Sequence, residues 1–416
     1  MVFHRRADGT SRAPAQLVAL LLALGFLFGS FALSCWGRLT FTPPSLLGLG
    51  AVALAGVAAW RSTRNWGLQL AAITLLFSGW VMIERLDPGL ALRQAAWLWV
   101  AVGARAGLLW WRPDLRKLEG ALWPLGLSIL ALQAAVFTFG TERHGAKNWI
   151  IVGPMSIQPS EFVKLLFVLF MAAFFCRFRP WVRVAFARDR SGIPHWSVFA
   201  LGAVAAAVEA TLVYQKDLGM ALLLGLIFAG VFYVATGRAD LCGLAFCMAG
   251  LGAWAAYMAF YHVRERFYGW LDPFIDPKGV GYQSVQSLYA LSSGGFTGRG
   301  WGLGQPWLVP EAPTDFISVA FVEELGLLGL LALLLLLAVV VAWCFGVAFR
   351  CPEEFGAFVA TGLGLSFAAQ TLVVVGGCMR LLPLTGMTLP FLSYGGSSLL
   401  ASMIALALLE VIDDAG

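Results

Sequence analysis

The chain has 416 residues, 60% of them hydrophobic and 12% charged, with a formal net charge of +5. A soluble globular domain carries about 25% charged residues, so this composition and a mean hydropathy of +0.80 exclude an ordinary soluble enzyme. The basic residues sit in short connections between apolar runs, which is the positive-inside pattern of a bilayer protein rather than a nucleic-acid-binding face.

Apolar runs of roughly 17–25 residues recur along the chain, each long enough to cross a hydrocarbon core of about 30 Å. They are apolar all round and lack the alternation of a barrel, so helices must satisfy the backbone. The expected fold class is therefore all-α, a polytopic transmembrane helix bundle of about twelve spans. After the basic segment His4-Arg5-Arg6, the expected spans begin near Gln16–Ser34, with no clear cleavage site behind it. They continue near Ser45–Trp60, Gly67–Ile83, Gln94–Trp111, Ala121–Phe139 and Phe162–Cys176. The later ones fall near Val198–Tyr214, Leu218–Ala235, Leu241–Tyr261, Phe316–Ala342, Gly356–Val375 and Phe391–Ile412. With the N-terminus in the cytoplasm, the inner connections hold more Lys and Arg than the outer ones, which places both termini inside. Seven cysteines without a CxxC pair imply neither a disulfide framework nor a zinc site.

Two outer segments are too long to be simple connections, Thr141–Glu161 and His262–Asp315. Loops beyond about 12–15 residues are usually functional or disordered, and the second holds Trp, Tyr, Phe and Pro with a short helical stretch, Tyr282–Leu291. There Val285 and Leu288 share one face while Gln283, Gln286 and Ser287 share another, as in a helix lying in the membrane interface. Chemistry is expected on this outer face. The Gly-rich run Gly294–Gly304 follows no strand and contains no GxxxxGK[ST], so it reads as turns rather than a nucleotide site, with anion contact by its N–H groups as the other option. The small residues of Ser393–Ser398 read as close helix packing. The four histidines are scattered without ligand spacing. Arg105, in mid-span, either snorkels, pairs with an acid or marks a cavity.

Several blocks recur in a recognisable order: Gly145-Ala-Lys-Asn-Trp-Ile, Gln158-Pro-Ser-Glu-Phe-Val-Lys164 and Gln215-Lys-Asp-Leu-Gly219. They are followed by Gly281-Tyr-Gln283, Gln286-Ser287, Gly298-Arg-Gly300 and Pro310-Glu-Ala-Pro-Thr-Asp-Phe-Ile317. Glu323-Glu-Leu-Gly326, Leu382-Pro-Leu-Thr-Gly386 and Leu389-Pro-Phe-Leu-Ser-Tyr-Gly-Gly-Ser-Ser398 complete the series. Together they resemble the FtsW/RodA/SpoVE (SEDS) family, membrane-embedded glycosyltransferases that polymerise peptidoglycan from lipid II, with an actinobacterial-type likeness. The resemblance covers roughly Gly67 to Ile412. It implies a glycosyltransferase core at 67–416 with the large outer loop at 262–315, and two added helices within 1–66. Asn148 stands where the family has Arg, Lys216 where it has Pro, and Pro313 where it has His.

The resemblance implies that a sugar hydroxyl attacks an anomeric carbon and a lipid pyrophosphate departs, which needs a base and positive charge. Asp315, at the outer mouth of a span, takes the place of the family's essential aspartate. Read from position alone it is equally a helix N-terminal carboxylate held by the dipole, worth about 0.3–1 kcal/mol. A dipole-lowered pKa would make it a weak base, which leaves a divalent cation (Mg2+ or Mn2+) at Asp315 open. Glu161 and Lys164 are i, i+3 and form either a structural ion pair or a substrate contact. Lys147, Arg264 and Arg266 are candidates for the pyrophosphate, Asp217 and Glu324 for cavity-lining acids, and Gln283, Gln286 and Ser397 for further substrate contacts. The implied partners are lipid II, membrane lipids and a class B penicillin-binding protein, in a bacterial plasma membrane. A lipid II flippase and a non-catalytic scaffold for a transpeptidase are the alternative readings.

Overall fold

The computed structural model describes residues 66–143, 146–153, 155–185, 196–240 and 260–415, with Gly50 and isolated positions between 243 and 258. The expected spans Gln16–Ser34 and Ser45–Trp60 lie outside the described residues, as does most of Leu241–Tyr261. In chain order the helices are α1 (Trp66–Leu86), α2 (Pro88–Trp111), the single turn α3 (Arg116–Glu119) and α4 (Leu122–Phe139). Strands β1 (Thr141–Arg143), β2 (Ala146–Val152) and β3 (Met155–Ile157) follow, then α5 (Pro159–Ala185), α6 (Trp196–Tyr214) and α7 (Leu218–Thr236). The large loop contains α8 (Tyr261–Leu271), α9 (Tyr282–Gly294) and a 3-10 turn at Pro306–Leu308. Helices α10 (Ile317–Arg350), α11 (Glu354–Cys378) and α12 (Gly396–Ala415) close the bundle.

Among the described residues, six helices are long and apolar enough to cross a membrane: α1, α4, α7, α10, α11 and α12. Helices α2 and α5 are of similar length and bury charged side chains, Arg105 in α2 and Glu161, Lys164 and Arg179 in α5, and the structure shows how these are tolerated. Arg105 of α2 and Glu410 of α12 are 3% and 2% exposed and pair at 2.9 Å, while Gln69 of α1 accepts another guanidinium hydrogen at 2.5 Å. An unpaired charge at that depth would be expensive, so pairing is what admits Arg105 to a span. Local chemistry sets the start of α2: Asp87 caps it by accepting from Gly89 and Leu90 N–H groups, and Pro88 opens its first turn.

The all-helical expectation needs one correction. The segment 141–157 is a three-stranded antiparallel sheet in the order β1-β2-β3, with Trp149 opposite Thr141 and Ile150 opposite Ile157. Its run Trp149-Ile150-Ile151-Val152 is aromatic and β-branched, which favours a pleated surface, and the chain turns back at Gly153. A second correction concerns α9. Ser287 is not on a solvated face but buried at 1% exposure, and its hydroxyl donates to the Cys378 carbonyl at 3.0 Å. Val285, Ala290 and Gly294 share that buried stripe, so α9 packs onto α10 instead of lying alone in the interface.

The most unusual element is α10, which breaks at Gly326, where φ is 69° and ψ −173°. Only glycine adopts that conformation readily. The glycine-rich run from α9 fills the gap: Arg299 and Gly300 N–H groups donate to the Glu323 and Glu324 carbonyls at 3.0 and 2.9 Å. In return the Gly295 and Phe296 carbonyls accept from Leu327 and Leu328 N–H groups at 3.0 and 3.2 Å. Backbone groups freed by a broken helix must find partners inside a membrane protein, and this splice supplies them.

Helix alternation gathers the sheet, α8, α9, the start of α10 and the segment 379–395 at one end of the bundle. The pairs Arg112–Asp414, Arg116–Glu353, Arg179–Glu354 and Arg350–Asp413 mark the opposite end.

Candidate active site

Asp315 lies in the turn before α10, and its placement follows from the ends of α11 and α12. The Ser393 hydroxyl donates to the Thr314 carbonyl at 2.5 Å, the Tyr394 N–H to the Pro313 carbonyl at 2.7 Å, and the Cys378 thiol to the Asp315 carbonyl at 3.2 Å. Three bonds therefore hold the backbone on which the carboxylate is mounted. The side chain is not the cap of α10, whose N-cap is Phe316 and receives no side-chain bond.

The carboxylate faces Gly386, the last residue of Leu382-Pro-Leu-Thr-Gly386. A Cβ on Gly386 would lie 3.7 Å from Asp315 Oδ2 and 4.0 Å from Arg266 Nη2. The residue has φ of 71°, so glycine meets both the backbone and the space requirement there. Burial above all, with repulsion by Glu311, raises the Asp315 carboxyl from 3.8 to about 7 against the opposing effects of Arg266 and the Thr314 hydroxyl. This reverses the expectation of a dipole-lowered carboxylate: desolvation outweighs the helix end because the group does not cap it.

The remaining expected residues fall into separate groups. Lys164 of α5 is buried and bonds to Glu161 at 2.7 Å and to Gln370 Oε1 of α11 at 2.8 Å. Gln370 in turn donates to the Thr388 carbonyl at 2.8 Å, fastening the segment that carries Gly386. Asp217 caps α7 through the Met220 N–H, and its Oδ2 accepts from Asn148, Gln158 and Ser160 at 2.9, 3.3 and 3.3 Å. Ser397 accepts from the Gln158 N–H at 2.9 Å, joining the start of α5 to α12. Asn148, at the family's arginine position, thus serves as a neutral donor to Asp217. Lys216 has φ of 61°, a value a proline ring forbids, and its N–H donates to the Val213 carbonyl.

Glu324 is fully buried and paired with Arg85; its Oε2 accepts from the Gly302 N–H at 3.2 Å. It clamps the glycine-rich splice and is not gathered with Asp315. Lys147 is exposed and donates to the Phe137 carbonyl at 2.9 Å, at the end of α4. Arg264 lies over the Tyr261 ring at 5.9 Å. On α9, Gln283 is exposed and Gln286 half-buried. Of the expected site residues, Arg266 is brought to Asp315.

A divalent cation at Asp315 would have Glu311 and Thr314 beside it and a guanidinium opposing it. Among the described residues, no group of three His, Cys, Asp or Glu gathers to hold a metal. This donor set is no closed protein cage; two carboxylates and a hydroxyl are a number with which Mg2+ joins a substrate's phosphates, so Asp315 and Glu311 would hold such an ion together with the pyrophosphate. Gly386, Gln370 and Arg85 were missed as site or support residues. Gln370 left a signal, a lone amide within an apolar helix, and Arg85 left another, a cation in the last turn of a span.

A family model described as cell cycle protein, FtsW/RodA/SpoVE, matches residues 68–415. The peptidoglycan glycosyltransferase RodA of Mycobacterium tuberculosis is 38% identical over 429 residues, spanning 98% of this chain and 85% of that protein. The probable peptidoglycan glycosyltransferase FtsW of Synechocystis is 34% identical over 366 residues, spanning 83% of this chain and 89% of that protein. A solved chain described under structural coordination of polymerization and crosslinking by a peptidoglycan synthase complex superposes with a TM-score of 0.69 at 29% identity. It covers 84% of this chain and 97% of its own. The rod shape determining protein RodA of Thermus thermophilus superposes with a TM-score of 0.60 at 26% identity, covering 84% and 96%.

Proposed function

The chain belongs to the FtsW/RodA/SpoVE family, and from that premise we propose that it polymerises lipid II into glycan strands, with Asp315 as the general base. It is a peptidoglycan glycosyltransferase and a multi-pass protein of the bacterial membrane. The reading extends to about twelve spans, a catalytic core at 67–416 after two added helices, and both termini in the cytoplasm.

One observation carries the assignment of the base: a carboxyl at about 7, next to Arg266, at the glycine notch of Gly386. A base near neutrality is ionised often enough to act and basic enough to take a proton. Asp315 Oδ2 removes the proton of the attacking sugar hydroxyl as its oxygen bonds to the anomeric carbon. The bond from that carbon to the pyrophosphate oxygen breaks, with inversion, and the electron pair leaves with the lipid pyrophosphate. Arg266 keeps the carboxylate from rising further and supplies positive charge where negative charge moves. Lys164, Glu161 and Gln370 act at a distance, by holding the segment on which Gly386 stands.

The partner in this reading is a class B penicillin-binding protein, supported by the likeness to a chain from a synthase complex of polymerisation and crosslinking. The test is incubation of the purified full-length protein, alone and with that transpeptidase, with purified lipid II. Glycan polymer on gels is expected. Translocation of lipid II across vesicles without any polymer would replace this reading with a flippase.

A further inference from the structure

At the end of the bundle opposite Asp315, a cavity of about 220 Å³ opens between the turn after α2, the turn before α11 and the end of α12. Arg112, Asp114 and Arg116 come from the first turn, Glu353 from the second and Asp414 from α12; Phe355 and Ile412 are among its apolar lining. Just before it, Trp110 and Trp111 are 89% and 73% exposed. Tryptophans of this kind sit at the headgroup level of a bilayer, so the cavity mouth stands where lipid headgroups are. The glycosyltransfer chemistry described above uses none of these residues.

The charges are built to exchange partners. Arg112 pairs with Asp414 at 3.2 Å and Arg116 pairs with Glu353, but both arginines are largely exposed. Such solvated pairs are weak, whereas a guanidinium fork on a phosphodiester makes strong charge-assisted bonds. Arg112 closes α2 with φ of 43°, a left-handed conformation that non-glycine residues seldom hold. Asp114 makes no ion pair among the described residues; its Oδ1 accepts the Arg116 N–H at 3.1 Å. Two guanidiniums and three carboxylates therefore line one cavity. A purely anionic headgroup would satisfy the arginines and leave the carboxylates in mutual repulsion. A headgroup bearing both a phosphodiester and a primary ammonium satisfies both sets.

We propose that this cavity binds the headgroup of a zwitterionic aminophospholipid, with Arg112 and Arg116 on its phosphodiester and Asp114, Glu353 and Asp414 around its ammonium. The apolar lining then receives the first carbons of the lipid. With the termini inside, the bound lipid belongs to the inner leaflet, away from the leaflet in which sugar transfer occurs.

Native mass spectrometry of the full-length protein, incubated with equal amounts of phosphatidylethanolamine and phosphatidylglycerol, tests this. Removing one arginine contact weakens headgroup binding about fivefold. Wild type is expected to retain phosphatidylethanolamine preferentially, and Arg116→Gln to lose about that factor. Asp114→Asn, whose amide oxygen can still accept the Arg116 N–H, tests the ammonium half without disturbing the turn, and it should reduce retention of phosphatidylethanolamine but not of phosphatidylglycerol. Equal retention of both lipids by wild type would overturn the proposal, as would preference for phosphatidylglycerol or unchanged selectivity in both variants.

Discussion

Replacing Arg266 by glutamine tests whether this guanidinium sets the working pH of Asp315. The Asp315 carboxyl stands at about 7, with burial as the main cause, Glu311 adding to the rise and Arg266 opposing it. The two side chains lie 3.7 and 4.0 Å from a shared point above Gly386. They are therefore within about 8 Å of each other, where a unit pair is worth roughly 2 kcal/mol at an effective dielectric of about 20. Partial solvent access reduces this to about 1.4 kcal/mol, or about one pKa unit. Without Arg266 the carboxyl should rise from about 7 toward about 8. The assay is the initial rate of glycan synthesis from lipid II, as kcat/KM, measured from about pH 5 to about pH 9. The alkaline-rising limb should move about one unit toward higher pH, so the variant loses most near pH 6 and recovers most near pH 9. An unmoved limb with equal loss at every pH would refute the electrostatic coupling and leave Arg266 as a substrate contact only.

Three further outcomes follow from the same geometry. Gly386→Ala places a methyl group 3.7 Å from Asp315 Oδ2 on a backbone at φ 71°; glycan synthesis should fall about tenfold or more while lipid II binding, measured by co-purification, changes less. Gly326→Ala sets a Cβ 2.3 Å from Gly298 N and Phe296 O at φ 69°, so the spliced break in α10 should not form, and thermal unfolding in detergent should show a sharp loss of folded protein. Glu410→Leu leaves Arg105 buried and unpaired, at a cost of about 3–5 kcal/mol, whereas the double change Arg105→Met with Glu410→Leu should recover much of that stability.

Ordered motifs singled out Asp315 in the sequence, Arg266 was named there as a candidate for the pyrophosphate, and apolar runs of spanning length located most of the described helices. Their convergence was not legible, because it depends on Gly386, which lies in a segment between helices and contributes through the side chain it lacks. The alternatives for Arg105 stayed open until α12 brought Glu410 against it, a partner far away in sequence. The break at Gly326 was hidden because a lone glycine in a long apolar helix reads as a packing residue; the glycines from 294 to 304, read as turns, marked the backbone that fills it. The sheet at 141–157 was missed by treating the segment as a connection, although Trp149 to Val152 carried a strand pattern. The raised pKa of Asp315 required burial and the neighbouring Glu311, neither of which a helix-end argument contains.

The central claim is tested most directly by Asp315→Asn, compared with wild type for polymer formed from purified lipid II. Because the Asp315 pKa lies above its unfolded value, the stability it contributes is full below about pH 4 and is lost as pH rises through about 7. The asparagine variant should therefore melt no lower than wild type above neutrality, which separates loss of chemistry from loss of fold. A fully folded variant that makes at least about a hundredfold less glycan is the predicted result. Wild-type synthesis by that variant would contradict the account.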